Sequence, residues 1–222
     1  MNLTALHRRL LADVITIGSP YPLVITGGYA VQAHGLVERA SQDLDVATEN
    51  PAPMADIAAD LARQLADGGW HITVIGVDPL SARLMATDRG DGGRCGVDVL
   101  KENLWAAPRA TPYGPVLAFD DVIGTKVRAL ADRGAVRDLI DVHAAAPHRS
   151  LPELERLGLR HGRGAFRLDD LRDRLAGADW YDDEEFAAYG LDDDATAVLR
   201  AWARDWVADL EPRLADDRDE QP

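Results

Sequence analysis

Cysteine and lysine are both scarce in this sequence. Cys95 is the single cysteine among 222 residues, which excludes an intrachain disulfide and argues against a cysteine-based zinc site. Lysine supplies two of the 24 basic side chains, Lys101 and Lys126, and arginine supplies the others. Because the chain uses arginine almost everywhere, a lysine on a helix indicates a need for a compact ammonium group. Lys126 is therefore a candidate functional residue.

Long apolar runs are missing as well. No stretch approaches the ~20 apolar residues that a membrane span requires. The N-terminal segment carries Arg8, Arg9 and Asp13 and lacks the apolar core of a secretory signal. These features predict a cytoplasmic protein that does not contact membranes.

Positive charge is in deficit, with 24 Lys and Arg against 38 Asp and Glu and a net charge of −14. A field of this sign does not hold a protein on nucleic acid, so any RNA contact would need a local basic patch. One such cluster, which is equally compatible with a solvated surface, consists of Arg156, Arg160, His161, Arg163 and Arg167.

The periodicity of apolar residues predicts an α+β fold. Helical patterns at 3–15, 28–34 and 54–67 are interspersed with strand patterns at 22–26, 43–48, 70–77, 82–87 and 94–100, the last two joined by a turn at 88–93. This order predicts a small mixed β-sheet domain over residues 1–110. Helical patterns from residue 120 onward predict a helical domain over residues 111–222, with an acidic tail at 212–222.

Two alternating carboxylates are the most informative pattern. Asp43 and Asp45 flank Leu44 in a predicted strand, so both should point to one face. Carboxylates on one face repel each other unless a cation lies between them, and Mg²⁺ prefers such oxygen ligands. Asp98 taken alone is more simply a solvated strand residue, but on a strand beside the pair it would complete a two-metal site. The sequence therefore predicts Mg²⁺ at Asp43, Asp45 and Asp98.

A glycine pair and a lysine extend this pattern. Gly27 and Gly28 separate a strand from a short helix, where the backbone can approach an anion closely. Any tight turn could use two glycines, but their spacing to the aspartates favours a phosphate site. Lys126 would contact a triphosphate, unless it is an ordinary exposed lysine. Asp138 and Asp141 follow on the next helical segment, where an ion-paired surface is the alternative, above all for Asp141.

Two segments resemble a known superfamily. The runs Gly27–Ala30 and Arg39–Asp45 are similar to the first motif of the DNA polymerase β-type nucleotidyltransferases. The runs Asp121–Arg133 and Arg137–Asp141 resemble, more particularly, the AbiEii/AbiGii-type nucleotidyltransferase toxins, including the MenT-like group. The resemblance covers roughly residues 22–145.

The resemblance implies a reaction and a set of roles. It implies transfer of an NMP from an NTP to an acceptor hydroxyl with Mg²⁺ as cofactor, RNA (the tRNA 3′ end) as acceptor, and a cognate antitoxin as partner. Gly28 stands where many members carry serine, so a hydroxyl contact to phosphate is missing there. The implied roles are nucleotide binding by Gly27, Gly28, Arg39, Ser41 and Lys126, metal binding by Asp43, Asp45 and Asp98, and catalysis by Asp43, Asp45, Asp98, Lys126 and Asp138.

Two other functions are compatible with the sequence. The strong overall acidity suits a cationic small molecule, so a nucleotidyltransferase that modifies an aminoglycoside-type drug is one alternative. A nucleotide-binding or partner-binding module without turnover is the other. It is harder to reconcile with the presence of both strand aspartates and the lysine.

Overall fold

The chain folds into an α/β part followed by a helical part. The computed structural model describes residues 1–219, and their side chains as far as residue 216. It divides into two compact units, Met1–Val122 and the part from Ile123 onward. The composition of the units confirms the predicted fold class. The predicted boundary at 110/111 differs from this division, because two short strands beyond residue 108 still belong to the sheet of the first unit.

A mixed sheet forms the centre of the first unit. Within the described residues it has seven strands, in the order β3-β4-β5-β2-β1-β7-β6. The strands are β1 Val24–Ile25, β2 Leu44–Thr48, β3 Trp70–Asp78, β4 Ser81–Asp88, β5 Arg94–Lys101, β6 Arg109–Thr111 and β7 Gly114–Val116. The helices are α1 Ala5–Ile17, α2 Gly27–Ala33 and α3 Met54–Asp67, and α4 Phe119–Arg133 crosses the division between the units.

Alternation along the central strands gives the sheet one apolar face. Leu44 and Val46 of β2 and Val97 and Val99 of β5 are all buried. They belong to one hydrophobic cluster with the apolar stripes of α1 and α3. Since successive strand residues point to opposite faces, the residues between them lie on the other face of the sheet, away from this core.

Strand pairing brings the predicted carboxylate strands together. β2 runs parallel to β5 and antiparallel to β1. β4 and β5 form the predicted hairpin, and the Asp88 N–H closes its turn by donating to the Gly93 carbonyl at 2.8 Å. The predicted three-carboxylate site requires that the strand of Asp98 lies beside the strand of Asp45. The pairing of β5 with β2 confirms this arrangement.

Within its described residues, the second unit consists of helices and the short segments that join them. After α4 come α5 Val136–His143, α6 Leu151–His161, α7 Leu168–Ala176, a 3-10 turn Gly177–Trp180, α8 Asp183–Ala187 and α9 Asp193–Asp219. Trp206 of α9 is fully buried and donates its indole N–H to Glu155 Oε1 at 2.9 Å. The predicted acidic tail at 212–222 is helical as far as Asp219, and residues 220–222 lie outside the described part. Across residues 1–219, no helix is both long and apolar enough to cross a bilayer.

Candidate active site

Gly27 and Asp45 are in direct contact at the start of α2. The Thr26 N–H donates to the Asp45 carbonyl at 2.9 Å, which holds the end of β1 against β2. Gly27 has φ +59°, and a methyl group added there would lie 1.9 Å from Asp45 Oδ2. Only glycine therefore leaves room for this carboxylate beside the turn. The sequence-predicted glycine and the sequence-predicted aspartate form one local structure.

A second glycine makes room for Asp43. A methyl group added at Gly96 of β5 would lie 2.4 Å from Asp43 Oδ1. The Asp43 carboxylate thus lies over the backbone of β5, on the face of the sheet opposite the core. Asp43 itself just precedes β2, which begins at Leu44.

Asp45 and Asp98 share that face. They are Cα partners in the parallel pairing of β2 and β5, and partners in register point the same way. The prediction that the three carboxylates Asp43, Asp45 and Asp98 lie on one face of neighbouring strands therefore holds in the geometry of the first unit.

Arg83 of β4 bridges two of these carboxylates. It is the Cα partner of Asp98 across the β4–β5 pairing. Its Nη1 donates to Asp98 Oδ2 at 3.3 Å and its Nη2 donates to Asp43 Oδ2 at 3.1 Å. The sequence predicts that a metal cation offsets the repulsion between these carboxylates. In the structure, one guanidinium offsets part of it.

The donor set suits a hard divalent cation. Three carboxylates on one face supply the oxygen ligands that Mg²⁺ prefers, and neither His nor Cys is among them. In residues 1–219, however, no three His, Cys, Asp or Glu side chains are already grouped closely enough to hold a metal. Metal binding at Asp43, Asp45 and Asp98 therefore fits the chemistry of the residues and remains a prediction.

The segment that carries Arg39 and Ser41 is anchored to α2. Gln32 donates its side-chain N–H to the Arg39 carbonyl at 2.8 Å, and the Tyr29 hydroxyl lies 3.4 Å from the Ser41 carbonyl and 2.5 Å from His7 Nδ1. Burial raises the pKa of Tyr29 to about 12, so its hydroxyl stays protonated and available for these bonds. Ser41 is held beside the glycine turn as a result.

Gly28 is packed against this anchored segment. A methyl group added at Gly28 would lie 2.7 Å from Ser41 Oγ and 3.5 Å from Arg39 Nη1. The structure thus brings all four residues predicted to bind nucleotide in the first unit (Gly27, Gly28, Arg39 and Ser41) to one edge of the carboxylate face.

In the second unit, Lys126 belongs to a buried ionic cluster. Its Nζ lies 2.9 Å from Asp141 Oδ2 and 3.4 Å from Asp138 Oδ1, and its side chain is 8% exposed. Arg133 binds Asp138 with two hydrogen bonds, Nε to Oδ2 at 2.7 Å and Nη2 to Oδ1 at 3.0 Å. Lys126 is therefore not an ordinary exposed lysine, and Asp141 is part of a buried cluster rather than of an ion-paired surface.

The cluster keeps Asp138 ionised despite its burial. Burial alone would raise the pKa of Asp138, but the hydrogen bonds from Arg133 and the charge of Lys126 outweigh it and hold that pKa below its ordinary value. The charges of Arg133 and Arg137 act on this pKa in the same direction.

The basic cluster on α6 and the following turn is only partly as predicted. Arg156, Arg163 and Arg167 are exposed. His161 is 2% exposed, and its carbonyl accepts a hydrogen bond from Arg128 Nη1 at 2.9 Å. Its ring therefore cannot form part of a basic surface, and the sequence-based inclusion of His161 is wrong.

The chain matches one protein family over nearly its whole length. Residues 9–210 match the family described as nucleotidyl transferase AbiEii toxin, type IV TA system. The chain belongs to this family. Membership confirms the resemblance seen in the sequence and implies a nucleoside triphosphate substrate and an antitoxin partner. No curated protein matches the chain.

Two crystal structures of Helicobacter pylori proteins share the fold of this AbiEii-family chain. JHP933 has a TM-score of 0.55 and 18% identity, with 100% of both chains covered. A protein described as a candidate nucleotidyltransferase has a TM-score of 0.56 and 17% identity, with 96% of this chain and 98% of that chain covered. At this identity the two structures support the fold.

Arg83 and Gly96 are the site residues that the sequence reasoning missed. A signal for both was present in the hairpin. The turn that pairs Asp88 with Gly93 sets the β4–β5 register, and counting back along both strands places Arg83 opposite Asp98. Gly96 has the same parity as Asp98 on β5, but that Asp43 lies over it follows only from the register of β2 and β5.

Proposed function

We propose that this AbiEii-family chain is a Mg²⁺-dependent nucleotidyltransferase that moves an NMP from an NTP to a hydroxyl group of RNA, at the 3′ end of tRNA. It acts as the toxin of a toxin–antitoxin pair, in the cytoplasm, where these substrates are found. The observation that carries the proposal is the arrangement of Asp43, Asp45 and Asp98 on one face of β2 and β5, beside the turn at Gly27. Family membership supports nucleotidyl transfer as the chemistry.

The residues of the first unit have distinct parts in this reaction. Asp43, Asp45 and Asp98 would hold Mg²⁺, which when bound supplies positive charge to the α-phosphate and the leaving pyrophosphate. The open backbone at Gly27 and Gly28 receives the phosphates, with Arg39 and Ser41 at its edge. Asp98 accepts the proton of the acceptor hydroxyl. The acceptor oxygen then bonds to the α-phosphorus as the bond to pyrophosphate breaks.

Lys126 and Asp138 of the second unit are assigned on the family pattern. Lys126 would neutralise charge on the triphosphate, and Asp138 keeps Lys126 charged and oriented, because their side chains are already 3.4 Å apart. Arg133 holds Asp138 from its other side. The proposal therefore treats Asp138 as acting through the ammonium group.

A direct assay tests the proposal. The full chain is incubated with Mg²⁺, each of the four α-labelled NTPs and either total RNA or purified tRNA. Labelled RNA is expected with the wild type, and Asp45→Asn should lower the rate by at least about 100-fold. Asp78→Asn is the matched control, because Asp78 is exposed at the end of β3. Unlabelled RNA under all of these conditions, or equal rates in Asp45→Asn and the wild type, would refute the proposal.

The acidity of the chain favours one second candidate. A net charge of −14 attracts a cationic acceptor such as an aminoglycoside more readily than it attracts RNA. The same assay with a panel of aminoglycosides in place of RNA separates the two functions. Asp45-dependent labelling of a drug, with RNA unlabelled, would favour this candidate.

The exposed arginines of the second unit are the proposed RNA contact. Arg156, Arg163 and Arg167 are exposed, and each arginine–phosphate contact adds about one to the slope of log affinity against log salt concentration. Changing all three to glutamine should raise the KM for RNA and lower this slope by about two to three. The KM for NTP should stay constant. Arg63→Gln, an exposed substitution in the first unit, is the control.

A further inference from the structure

We propose that Arg83 is an internal cation that competes with the divalent metal for Asp43 and Asp98. The inference rests on the proposed function, because it assumes that these carboxylates receive a metal. Arg83 lies on β4, outside the four runs that resemble the family motifs.

The geometry shows what Arg83 does in the metal-free protein. Its two terminal nitrogens reach different carboxylates, Asp98 at 3.3 Å and Asp43 at 3.1 Å. Asp98 lies on β5 and Asp43 directly precedes β2, so the guanidinium joins two separate segments of the chain. Without a cation in this position the like charges of the face would repel each other.

The same geometry makes the bridge reversible. The Arg83 side chain is 48% exposed, and those of Asp43 and Asp98 are 28% and 21% exposed. An arginine on the solvent side of the carboxylates can rotate away without disturbing the core. Arginine does not lose its proton in proteins, so it can yield these oxygens only by moving.

Competition of this kind weakens metal binding, so a higher concentration of the metal is needed to occupy the site. The wild type must break two partly exposed ion pairs before Asp43 and Asp98 can bind a divalent cation. Pairs of this type are individually weak, so Arg83 lowers metal affinity by about tenfold rather than abolishing it. In the absence of metal, the hydrogen bonds from Arg83 hold both carboxylates in place.

Titration with Mn²⁺ in the absence of nucleotide tests the inference. The dissociation constant for Mn²⁺ is measured for the wild type, Arg83→Gln and Arg83→Lys, each as the full chain. Titration calorimetry and the electron paramagnetic resonance signal of free Mn²⁺ provide the measurement. Arg83→Gln should bind Mn²⁺ about tenfold more tightly. Arg83→Lys should fall between the two, because a single ammonium group cannot bridge both carboxylates with paired nitrogens. Circular dichroism checks that each variant is folded.

Arg63→Gln is the matched control. Arg63 is exposed on α3, and α3 packs on the apolar face of the sheet, opposite the carboxylates. This variant should bind Mn²⁺ within about twofold of the wild type, since screening weakens remote exposed charges. A general increase in affinity on loss of any arginine would overturn the inference.

Thermal melting gives a second readout. In EDTA, Arg83→Gln should melt at a lower temperature than the wild type, because Asp43 and Asp98 then repel each other without a cation. Saturating Mn²⁺ should raise its melting temperature by more than it raises that of the wild type. An equal rise in both proteins would contradict competition.

Asp45→Asn separates failure of this inference from failure of the proposed function. Mn²⁺ binding that depends on Asp45 and is unchanged in Arg83→Gln refutes the role of Arg83 and leaves the metal site standing. Absence of Asp45-dependent binding in both the wild type and Arg83→Gln refutes the metal site itself. Unchanged Mn²⁺ affinity with weaker NTP binding in Arg83→Gln would assign Arg83 to the nucleotide and overturn the competition.

Discussion

Gly27 offers the sharpest test of the candidate site, because a single methyl group there reaches the key carboxylate. That methyl group would lie 1.9 Å from Asp45 Oδ2 and 2.4 Å from its Cγ, at a residue with φ +59°. Gly27→Ala therefore has two separate effects. It strains the backbone by about 1–2 kcal/mol, and it forces the Asp45 carboxylate away from its position.

Gly35 provides the control that separates these effects. It has φ +73°, and within the described residues no heavy atom lies within 4 Å of a methyl group added there. Gly35→Ala thus carries a similar backbone strain without touching Asp45. Both variants should lose about 1–2 kcal/mol of unfolding free energy, which lowers Tm by ~2–8 °C for a chain of this size.

Only Gly27→Ala should lose activity. A displacement of about 1 Å at a reacting group can cost about 100-fold in rate, and the overlap at Asp45 requires at least that much movement. The assay compares nucleotide transfer at saturating NTP with urea unfolding curves of the same preparations. Equal transfer rates in Gly27→Ala and Gly35→Ala would show that the position of Asp45 is not needed, and the proposed site would fall.

Three further predictions follow from the contacts. Lys126→Met should destabilise the second unit by about 3 kcal/mol, since it leaves buried carboxylates short of one cation, and Lys126→Met with Asp141→Asn should recover part of this loss in urea unfolding. Burial lowers the pKa of His7, so the free energy of unfolding should decline as the pH falls below about 6.5. The melting temperature of His7→Gln should fall less over this pH range than that of the wild type. An equal fall of melting temperature with pH in both proteins would contradict this. Ser41→Glu should weaken NTP binding at least about tenfold by adding negative charge beside Gly28, whereas Ser41→Gln, of similar size and uncharged, should weaken it much less.

The order of strands and helices was largely predictable because it depends on local patterns. The β4–β5 hairpin was evident from the turn at 88–93, and the apolar alternation of β2 and β5 identified their buried faces. The short strands β6 and β7 were missed. With three residues each they are too short to show alternation. β7 joins the sheet by pairing with the distant β1, and β6 joins it by pairing with β7.

The carboxylates of the site were predictable, and the cation between them was not. Strand alternation alone places Asp43 and Asp45 on one face, and the parallel pairing of β2 and β5 adds Asp98. A metal was predicted to offset their charge, although a basic side chain on a neighbouring strand can do so in part. The register of the β4–β5 hairpin places Arg83 opposite Asp98. This position becomes evident only when the two strands are aligned with each other, and not from the alternation of either strand alone.

The position of Lys126 shows why residue type alone could not settle its role. The sequence indicated a compact ammonium group on a helix, and the structure places it in a buried cluster with two carboxylates and one arginine. Asp141 at 2.9 Å and Asp138 at 3.4 Å both hold its Nζ, and Asp138 also accepts two hydrogen bonds from Arg133. Two carboxylates within 4 Å compensate the charge of Lys126, so it offers little net attraction to a distant anion. Contact with a triphosphate would therefore depend on short-range hydrogen bonds from Nζ rather than on long-range attraction, and Lys126→Met should reduce the transfer rate far more than it reduces the rate of NTP association.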